Sequence, residues 1–577
     1  MQEEILKKAR AWVENPYIDD NSKEEINRLI ESSQEEELVS RFYKNLEFGT
    51  AGMRGKVEAG SNRFNVYVVR QASQGLADYL KQNAEDAPAS IAIAFDNRTH
   101  SEVFSQEAAS VFAGNGIKVY IFPSLRPTPM LSFAVRELKT NAGIVITASH
   151  NPREYNGYKV YWSDGCQINA PHDSGIMAAI ELIQDYSKIR STNFETALKE
   201  KQIEIIEDQL DQKYYGQVEQ LCLGDRENNK NLHFVYTPLH GTGNIPVREI
   251  LQRRGFQNVS VVEEQELPDG NFPTVRSPNP EDPAAFTLAK KTARENEKLL
   301  LANDPDSDRL GALVRQNGDW INLNGNQIGQ LLLDYYLRKL KEVNRLPLNG
   351  FVVSTIVTSE LTRKIAEGHG LRYYETLTGF KNIGQIIRTR QDQGTGQFVF
   401  GMEEANGYLL GDFVRDKDGV SALVVFAEMI AELAAEGHKA LDQLELIHQN
   451  FGFHEDSLIN HVLEGKSGAE QIQNIMKELR TDPPKTIGRY KVNLLKDYQQ
   501  NLMTDPQTGK VLGSLGLPVS NVLAFYMEDG SRITARPSGT EPKIKFYFNL
   551  CGDGKKALSE ARKHYEQSFM SLIENFG

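Results

Sequence analysis

The chain has 577 residues, of which 40% are apolar and 25% charged, so it is long enough to build several ordinary hydrophobic cores. Asp and Glu together number 78 against 65 Lys and Arg, which gives a net charge of −13. This negative balance argues against a general nucleic-acid-binding protein or an anionic-membrane protein, and any anionic ligand needs a local basic cluster.

The first residues, M-Q-E-E-I-L-K-K-A-R, lack the apolar stretch of a signal peptide. The longest apolar stretch, residues 421–435, is interrupted by two glutamates and is shorter than the roughly 20 residues of a bilayer span. Cys166, Cys222 and Cys551 are too scattered to indicate a disulfide framework or a metal site. We therefore expect a cytoplasmic protein with no membrane partner and no nucleic-acid partner.

Residues 1–45 are predicted to be helical and highly charged, and to lie against the body of the protein without a core of their own. Short β-branched segments then alternate with helical patterns up to about residue 450. The predicted strands of this region are residues 91–95, 119–122, 143–147, 233–237, 259–262, 299–302, 351–356 and 397–400. Repeated strand–helix–strand units are typical of α/β domains built on parallel sheets.

After about residue 450 the pattern changes. Residues 522–527, 532–535 and 544–550 are predicted to form antiparallel strands, followed by a helix from Lys555 onward. We expect an α/β protein with three α/β domains and one smaller C-terminal α+β domain. The predicted domain boundaries are residues 1–205, 206–325, 326–450 and 451–577.

The first candidate loop is T-A-S-H-N-P, residues 147–152, at the end of the predicted strand 143–147. Open α/β sheets place their sites at the carboxyl ends of strands, so Ser149 is expected on an exposed loop beside His150. The same residue types also suit a helix cap or a turn. A Ser-His-Asp hydrolase is a third alternative, although the G-x-S-x-G motif is absent and an adjacent His is poorly placed to act as the base.

The second loop is D-P-D-S-D-R, residues 304–309, after another predicted strand. The carboxylates of Asp304, Asp306 and Asp308 can offer oxygen atoms to one hard cation. A calcium-binding EF-hand requires Gly at position six and Glu at position twelve, where this chain has arginines. A solvated acidic turn is disfavoured because three like charges this close repel one another. We predict a metal site, and Mg²⁺ with a phosphate ligand suits it.

Two further loops, and a short charged segment between them, carry groups that can bind a ligand. G-M-E-E-A-N-G, residues 401–407, offers carboxylates to ligand hydroxyls, with a surface glutamate pair as the alternative. R-D-K-D-G, residues 415–419, by itself indicates ordinary helix capping. R-P-S-G-T-E-P, residues 536–542, combines an Arg, two hydroxyls and a Gly, which together predict an anion-binding loop. This loop is not a Walker A motif, so it does not indicate nucleotide binding.

These four loops, in this order, resemble those of the α-D-phosphohexomutases, the superfamily of phosphoglucomutase and phosphomannomutase. The resemblance runs from about Phe48 to the end of the chain, and T-A-S-H-N-P and D-P-D-S-D-R are its most specific motifs. Further matching motifs are G-T-A-G-M-R-G at 49–55, N-G-Y-K at 156–159, T-P-L-H-G at 237–241 and T-G-F-K at 378–381. The length, the early G-T-A-G-M-R and the E-E-A-x-G loop are most similar to the phosphoglucomutase-2 and phosphopentomutase branch.

The resemblance implies three similar α/β domains with mixed sheets and a smaller C-terminal α+β domain, arranged as a heart around a central cleft. The catalytic positions that it implies are Arg54, Ser149, His150 and Lys159. The metal ligands that it implies are Ser149, as a phosphoserine, with Asp304, Asp306 and Asp308. The substrate-binding positions that it implies are Arg309, Thr378, Gly379, Lys381, Glu403, Ala405, Arg415, Lys417, Arg536, Ser538, Gly539 and Thr540.

Two residues depart from the family pattern. Ala405 stands where many members have Ser, so one hydroxyl contact to the sugar is lost and substrate discrimination can change. Gly407 stands where one branch has a His, so the acid–base role of that His does not carry over.

Lys159 is the candidate base, which requires its pKa to fall from about 10.4 towards neutrality. His150 is expected to orient the loop.

The implied reaction interconverts α-D-glucose 1-phosphate and glucose 6-phosphate through a phosphoserine and glucose 1,6-bisphosphate, with Mg²⁺ as cofactor and the bisphosphate as activator. Close alternatives are a phosphopentomutase, a phosphomannomutase and a glucose 1,6-bisphosphate synthase. Two alternatives from other classes are a metal-dependent phosphatase that uses Ser149 and an inactive sugar-phosphate-binding protein. The expected partners are small-molecule sugar phosphates, and the expected state is a monomer or weak homodimer.

Overall fold

The computed structural model describes residues 2–49, 52–84, 88–463, 465–538, 543–574 and 576. Among these residues, none of the helices combines the length and the apolar character that a bilayer span requires. The chain folds into two compact units. The first unit comprises Met1–Leu323 and Asn406–Gly437, and the second comprises Asn324–Ala405 and His438–Gly577.

The first unit begins with a small helical subdomain. Its helices are α1 (Gln2–Glu14), α2 (Asp20–Glu31) and α3 (Glu35–Phe42). Ile5, Ala9 and Trp12 recur at helical spacing, so they share one face of α1, and they pack with Tyr67 in a separate apolar cluster. The expectation that residues 1–45 lack a core of their own is therefore wrong.

A seven-stranded mixed sheet follows. Its strands are β1 (Phe48–Gly49), β2 (Gly52–Lys56), β3 (Ser90–Phe95), β4 (Lys118–Ile121), β5 (Ala142–Ile146), β6 (Tyr155–Trp162) and β7 (Ile203–Ile205), in the spatial order β1-β2-β6-β5-β3-β4-β7. Its helices are α4 (Val66–Asn83), α5 (Ser101–Gly114), α6 (Thr128–Glu137), α7 (His172–Glu181) and α8 (Phe194–Lys199), with a 3-10 turn at Tyr186–Lys188. Strands β5, β3, β4 and β7 run parallel, whereas β6, β2 and β1 pair in antiparallel fashion.

The second sheet of this unit has five strands. They are β8 (His233–Thr237), β9 (Asn258–Val261), β10 (Leu299–Asn303), β11 (Leu310–Gln316) and β12 (Asp319–Leu323), in the order β12-β11-β10-β8-β9. The helices around it are α9 (Asp208–Leu221), α10 (Arg226–Asn229), α11 (Asn244–Arg253), α12 (Glu263–Glu266) and α13 (Thr287–Thr292), with a 3-10 turn at Pro283–Phe286. Strands β10, β8 and β9 are parallel, so their carboxyl ends share one edge.

The second unit contains a parallel arrangement of three strands in the order β14-β13-β15. Its elements to residue 405 are α14 (Gly325–Glu342), β13 (Gly350–Thr355), α15 (Glu360–Gly368), β14 (Arg372–Thr376), α16 (Phe380–Asp392) and β15 (Gln397–Glu403). The chain then returns to the first unit with β16 (Gly407–Leu410) and α17 (Gly419–Ala435). It re-enters the second unit with α18 (Ala440–Phe451).

The C-terminal part of the second unit is an antiparallel sheet covered by two helices. The sequence predicted three of its strands and the last helix, but not the other strands or the helix before residue 482. Its strands are β17 (Phe453–Val462), β18 (Thr486–Ile487), β19 (Tyr490–Asp497), β20 (Leu502–Asp505), β21 (Lys510–Ser514), β22 (Leu523–Met527), β23 (Arg532–Pro537) and β24 (Lys543–Gly552). Its helices are α19 (Gly465–Thr481) and α20 (Lys555–Glu574). The main path of the sheet runs β17-β24-β23-β22-β19-β20-β21, with β18 pairing to β19. The predicted α/β class with a C-terminal α+β domain is confirmed.

Candidate active site

The loop after β5 holds Ser149 in a left-handed backbone conformation, with φ of 52°. Ser149 is buried and not exposed as expected, because the aspartate loop lies against its hydroxyl. Its backbone N–H donates to Thr147 Oγ1 at 2.8 Å. Its hydroxyl donates to Asp304 Oδ2 at 2.7 Å and lies 3.2 Å from His150 Nδ1. A positive φ is unfavourable for serine, so surrounding contacts must hold the loop in this shape.

Arg98 supplies those contacts. Its guanidinium donates to the carbonyl of Ser149 at 2.6 Å and to the carbonyls of Pro152 and Tyr155 at 2.9 Å each. Arg98 Nε lies 3.3 Å from Asp96 Oδ2, and both side chains are fully buried. Because β3 and β5 are adjacent and parallel, the loops that follow them meet at one edge of the sheet. This arginine therefore clamps the backbone of the serine loop.

Three aspartates after β10 face the serine. The side chains of Asp304, Asp306 and Asp308 are buried, and one oxygen from each lies within 4.8 Å of the others. Asp304 Oδ1 accepts a hydrogen bond from the backbone N–H of Arg309 at 3.0 Å. Asp306 Oδ2 accepts one from Thr128 Oγ1, at the start of α6, at 2.8 Å. Neighbouring elements thus orient two of the three carboxylates.

Two lysines balance the negative charge of this cluster. Lys159 Nζ, from β6, lies 2.7 Å from Asp306 Oδ2 and 3.3 Å from Asp308 Oδ2. Lys417 Nζ, from the loop before α17, lies 3.3 Å from Asp308 Oδ2. Strand β6 pairs with β5, which brings Lys159 beside the serine loop. The two cations offset part of the negative charge of the three buried carboxylates.

The carboxylate pKa values reflect this arrangement. Burial, followed by the charges of Asp308 and Asp306, raises the pKa of Asp304 well above its ordinary value. Burial also raises the pKa of Asp308, but the nearby Lys417, Lys159 and Arg309 outweigh it and lower that pKa below its ordinary value. An additional cation would therefore stabilise the ionised form of Asp304 more than that of Asp308.

The basic groups differ from the sequence-based expectation. Burial lowers the pKa of Lys159, but Asp306 and Asp308 outweigh burial, so its pKa is raised and not lowered. The expected fall towards neutrality is therefore wrong, because two carboxylates stabilise the ammonium. Burial, with Arg309 and Arg54 nearby, lowers the pKa of His150 well below its ordinary value. His150 is therefore a neutral imidazole near pH 7.

The acidic cluster fits a divalent metal ion. Within the described parts of the chain, Asp306 Oδ1 and Asp308 Oδ1 are buried without a hydrogen-bond partner. An unsatisfied buried carboxylate oxygen is costly, and a cation is the usual group that satisfies it. The three side chains offer only oxygen atoms, which hard cations such as Mg²⁺, Mn²⁺ or Ca²⁺ prefer.

Arg54 and Arg309 lie at this cluster. Arg54, on β2, donates from Nη1 to Asn151 Oδ1 at 2.8 Å, which ties it to the serine loop. Arg309 Nε lies 3.9 Å from Asp308 Oδ1, and its Nη1 pairs with Glu281. Both guanidiniums are therefore within reach of an anion bound near the serine.

Arg415 has a different environment. Its backbone N–H donates to Ser132 Oγ of α6 at 2.9 Å, and its Nη1 donates to the Val414 carbonyl at 3.2 Å. Burial and the neighbouring Arg136 lower the pKa of Arg415 to about 10. These contacts fix the loop that carries Lys417 against α6.

Two glycines allow the loops of this unit to approach one another. A Cβ on Gly241, in the T-P-L-H-G motif, would lie 2.5 Å from Pro305 Cα. A Cβ on Gly419, the first residue of α17, would lie 2.5 Å from the Arg309 carbonyl oxygen. Real side chains do not tolerate such distances. Asp418 caps α17 through the N–H groups of its first residues, as the capping interpretation of R-D-K-D-G expects.

In the second unit, the structure brings Gly379 and Glu403 together. The Gly379 N–H donates to Glu403 Oε1 at 2.7 Å, and Gly379 has φ of 107°, which favours glycine. The carbonyl of the adjacent Thr378 accepts a hydrogen bond from Asn382 at 2.9 Å. Lys381 lies in the first turn of α16, and Ala405 follows β15. The T-G-F-K and E-E-A motifs thus meet at the carboxyl ends of β14 and β15.

The remaining predicted residues belong to β23 and the loop after it. Arg536 on β23 is the cross-strand partner of Lys545 on β24, so the two cations lie side by side. Ser538 N–H donates to the Lys543 carbonyl at 2.9 Å. Gly539 and Thr540 lie outside the described residues.

Glu404, beside Glu403, has a strongly perturbed pKa. Burial, followed by repulsion from Glu403, raises the pKa of Glu404 to about 7, although Lys545 and Arg536 act in the opposite direction. Its Oε2 accepts a hydrogen bond from Thr355 Oγ1 at 3.3 Å. Glu404 therefore titrates near neutral pH, and the positive charges of Lys545 and Arg536 act on its carboxylate.

Several neighbouring residues were not found by sequence reasoning. Arg98 follows β3, and Thr128 is the first residue of α6, which follows β4. Their position after strands of the same sheet was the available signal. Lys545 was detectable only from strand register. Asp416, which pairs with Lys417, lies inside the R-D-K-D-G segment, but no pattern in the sequence marks it as a functional residue.

Comparison with known proteins identifies the family. Four phosphoglucomutase/phosphomannomutase domain models match the chain: α/β/α domain I at residues 45–187, domain II at 212–318, domain III at 324–449 and the C-terminal domain at 458–563. The chain belongs to the phosphoglucomutase/phosphomannomutase family. The predicted place in the α-D-phosphohexomutase superfamily is confirmed.

Relatives in this family align over almost the whole chain. A phosphoglucomutase from Staphylococcus saprophyticus is 36% identical over 97% of this chain and 99% of its own length. A phosphoglucomutase from Staphylococcus haemolyticus is 38% identical over 91% of this chain and 94% of its own. The crystal structure of parafusin (phosphoglucomutase) from Paramecium, in an open form, has a TM-score of 0.68 at 18% identity, covering 92% of this chain and 96% of that one. At 18% identity, the similarity to parafusin shows a shared fold and nothing more.

Proposed function

We propose that this member of the phosphoglucomutase/phosphomannomutase family is a mutase that interconverts α-D-glucose 1-phosphate and glucose 6-phosphate. Relatives named phosphoglucomutase align with nearly the full chain, which supports glucose as the sugar. The observation that carries the proposal is the contact of 2.7 Å between Ser149 Oγ and Asp304 Oδ2, beside Asp306 and Asp308. A nucleophilic oxygen and a cation-binding cluster at one point are what phosphoryl transfer requires.

The reaction proceeds in two transfers. The phosphoryl group on Ser149 passes to the free hydroxyl of the sugar phosphate, so the bond to Ser149 Oγ breaks and glucose 1,6-bisphosphate forms. The bisphosphate reorients, and its other phosphoryl group returns to Ser149. The proton that the attacking hydroxyl loses in each transfer balances the one that the departing oxygen gains. Such transfers depend mainly on positioning and charge stabilisation.

Asp304, Asp306 and Asp308, together with an oxygen of the Ser149 phosphate, are the proposed ligands of Mg²⁺. When bound there, the ion would neutralise charge and polarise the phosphoryl group. The chain supplies the remaining charge. Phosphoserine carries about −1.5 to −2 charges near pH 7, and the cations of Arg54 and Lys159 lie close enough to offset them.

Lys159 acts in this proposal as an ammonium. Its pairing with Asp306 and Asp308 keeps the proton on Nζ, so it donates hydrogen bonds to the transferring phosphoryl group. His150, a neutral imidazole 3.2 Å from Ser149 Oγ, orients the hydroxyl. Arg309 binds the anion near the serine.

Glu403 and Arg536 are the proposed sugar and distal phosphate contacts. Glu403 accepts hydrogen bonds from sugar hydroxyls, held in place by the Gly379 N–H. Arg536, with Lys545 beside it, attracts the phosphate that is not being transferred. The other proposed substrate contacts are Thr378, Lys381, Ala405, Arg415, Lys417, Ser538, Gly539 and Thr540. Either phosphate of the intermediate must fit the same site, because the bisphosphate turns round.

The domain bounds, activator, oligomeric state, location and partners complete the proposal. The four domains are proposed to comprise residues 1–205, 206–325, 326–450 and 451–577. Glucose 1,6-bisphosphate is the proposed activator, because it phosphorylates Ser149. The chain is proposed to work as a monomer or weak homodimer in the cytoplasm, where its three free cysteines stay reduced. Small-molecule sugar phosphates are its proposed partners.

The proposal is tested by assaying glucose, mannose and ribose 1-phosphates side by side, with inorganic phosphate measured in the same samples. We expect the highest kcat/KM for glucose 1-phosphate, little phosphate release, and loss of isomerisation in Ser149→Ala. Ser260→Ala, whose hydroxyl donates to Glu297 at 3.0 Å, is the control that should retain activity. Activity on ribose alone, phosphate release equal to turnover, or an active Ser149→Ala would each contradict the proposal.

A further inference from the structure

Tyr161 is a buried tyrosine two residues beyond Lys159 on β6. Side chains at i and i+2 of a strand lie on the same face, so Tyr161 shares the face that carries Lys159. Its side chain has no exposed surface, and its hydroxyl donates to Asp416 Oδ2 at 2.6 Å. A buried hydroxyl needs a partner, and a bond of this length to a carboxylate is a strong one.

The second oxygen of Asp416 holds Lys417. Asp416 Oδ1 accepts a hydrogen bond from the Lys417 backbone N–H at 2.8 Å and lies 3.2 Å from Lys417 Nζ. Lys417 Nζ also lies 3.3 Å from Asp308 Oδ2. A carboxylate is planar, so fixing one oxygen by Tyr161 fixes the direction of the other. The Lys417 ammonium is thus held between two carboxylates.

We propose that Tyr161 is a positioning residue that, through Asp416, sets the place of the Lys417 ammonium at the substrate. The inference rests on the proposed function, because it assigns Lys417 to the binding of the sugar phosphate. A lysine side chain is flexible and its ammonium has no preferred direction of its own, so two anchors are needed to hold it. One anchor is Asp308, and the Tyr161–Asp416 pair is the other.

The tyrosine hydroxyl has a role distinct from filling space. Phenylalanine would occupy the same volume in the fully buried site, so Tyr161→Phe removes only the hydrogen bond to Asp416. Asp416 could then rotate, and Lys417 would keep its contact to Asp308 but lose a fixed direction for its contact to Asp416. Because hydrogen bonds to charged groups are strong, we expect KM for glucose 1-phosphate to rise about tenfold in Tyr161→Phe. The unfolding temperature should fall only slightly.

The same strand provides a matched control. Tyr158 is equally buried, lies on the opposite face of β6, and its hydroxyl is 3.1 Å from Ser73 Oγ. Tyr158→Phe therefore removes one buried hydroxyl from the same strand without touching Asp416. We expect a comparable small loss of thermal stability and an unchanged KM. The two variants separate positioning of Lys417 from general support of the strand.

The experiment measures kcat and KM for glucose 1-phosphate at saturating glucose 1,6-bisphosphate, together with the unfolding temperature. Asp416→Asn should raise KM as Tyr161→Phe does, and the double variant should raise it no further than the stronger single variant, because both changes break one chain of contacts. If Tyr161→Phe does not fold, Asp416→Asn decides alone.

The inference is overturned if KM in Tyr161→Phe or Asp416→Asn stays within about twofold of wild type, or if the two effects multiply in the double variant. It is also overturned if Tyr158→Phe raises KM equally. A wild-type enzyme that does not isomerise glucose 1-phosphate overturns the proposed function, and the inference with it. An active wild type with an unaffected Tyr161→Phe overturns the inference alone.

Discussion

The buried guanidinium of Arg98 gives the most direct structural prediction about catalysis. It donates to the carbonyls of Ser149, Asn151, Pro152 and Tyr155, and it pairs with Asp96. Arg98→Lys keeps the positive charge beside Asp96 but replaces five donors with three. If one ammonium donor faces Asp96, at most two of the four carbonyls keep a partner.

The loss of two charged hydrogen bonds amounts to about 3 kcal/mol, taking about 1.5 kcal/mol for each. These bonds hold Ser149 at φ of 52°, a conformation that itself costs about 1–3 kcal/mol. Loosening the loop by about 3 kcal/mol lowers the equilibrium constant between the correctly placed serine and other loop conformations about 100-fold. We expect kcat to fall by up to about this factor, with KM nearly unchanged.

The assay is steady-state isomerisation of glucose 1-phosphate with the unfolding temperature as a control. Arg63→Lys is the matched variant, because Arg63 is also buried and donates to the Ser40 carbonyl and Glu58, away from the serine loop. It should lose stability without losing kcat. A folded Arg98→Lys enzyme with wild-type kcat would refute the view that Arg98 positions Ser149.

Two further predictions concern the carboxylates. Asp304→Asn should melt at a higher temperature than wild type when both are metal-free. Burial, Asp308 and Asp306 disfavour the ionised form of Asp304 and so raise its pKa, and the substitution removes that ionisable group. Mg²⁺ at about 100 times the wild-type Kd should stabilise wild type by about 2.7 kcal/mol and the variant by less, as calorimetry would show; equal stabilisation would contradict the metal site. For Glu404, the folded pKa of about 7 exceeds the ordinary value of 4.5, so the folded state binds this proton more tightly than the unfolded state. The free energy of unfolding of wild type should therefore decrease between pH 4.5 and 7 relative to Glu404→Gln, measured by urea titration, and parallel curves would show that Glu404 is not perturbed.

The class of fold and the location of the loops were predictable because they depend on local patterns. Alternating β-branched and helical segments identified the α/β sheets, and the same periodicity found the last three antiparallel strands, β22, β23 and β24, but not β17 to β21. The serine loop and the aspartate loop were found because each follows an apolar strand. The apolar face of α1 was also present in the sequence, but its high charge concealed it.

The electrostatics of the site were less predictable, because pKa values depend on which charges the fold brings together. The pKa of Lys159 was expected to fall, but Asp306 and Asp308 face its ammonium and raise it. Arg98 and Tyr161 act on partners that are distant in sequence and that only the folded chain brings together. Motifs can identify such a site, whereas the contacts that orient it require the three-dimensional structure.

The central claim is that Ser149 carries the phosphoryl group beside the three aspartates. Intact mass measurement with peptide mapping, after incubation with glucose 1,6-bisphosphate, tests it directly. We predict the gain of one phosphoryl group, located on Ser149 and absent from Ser149→Ala. An enzyme that isomerises glucose 1-phosphate while its phosphoryl group is on another residue, or while it carries none, would contradict the account.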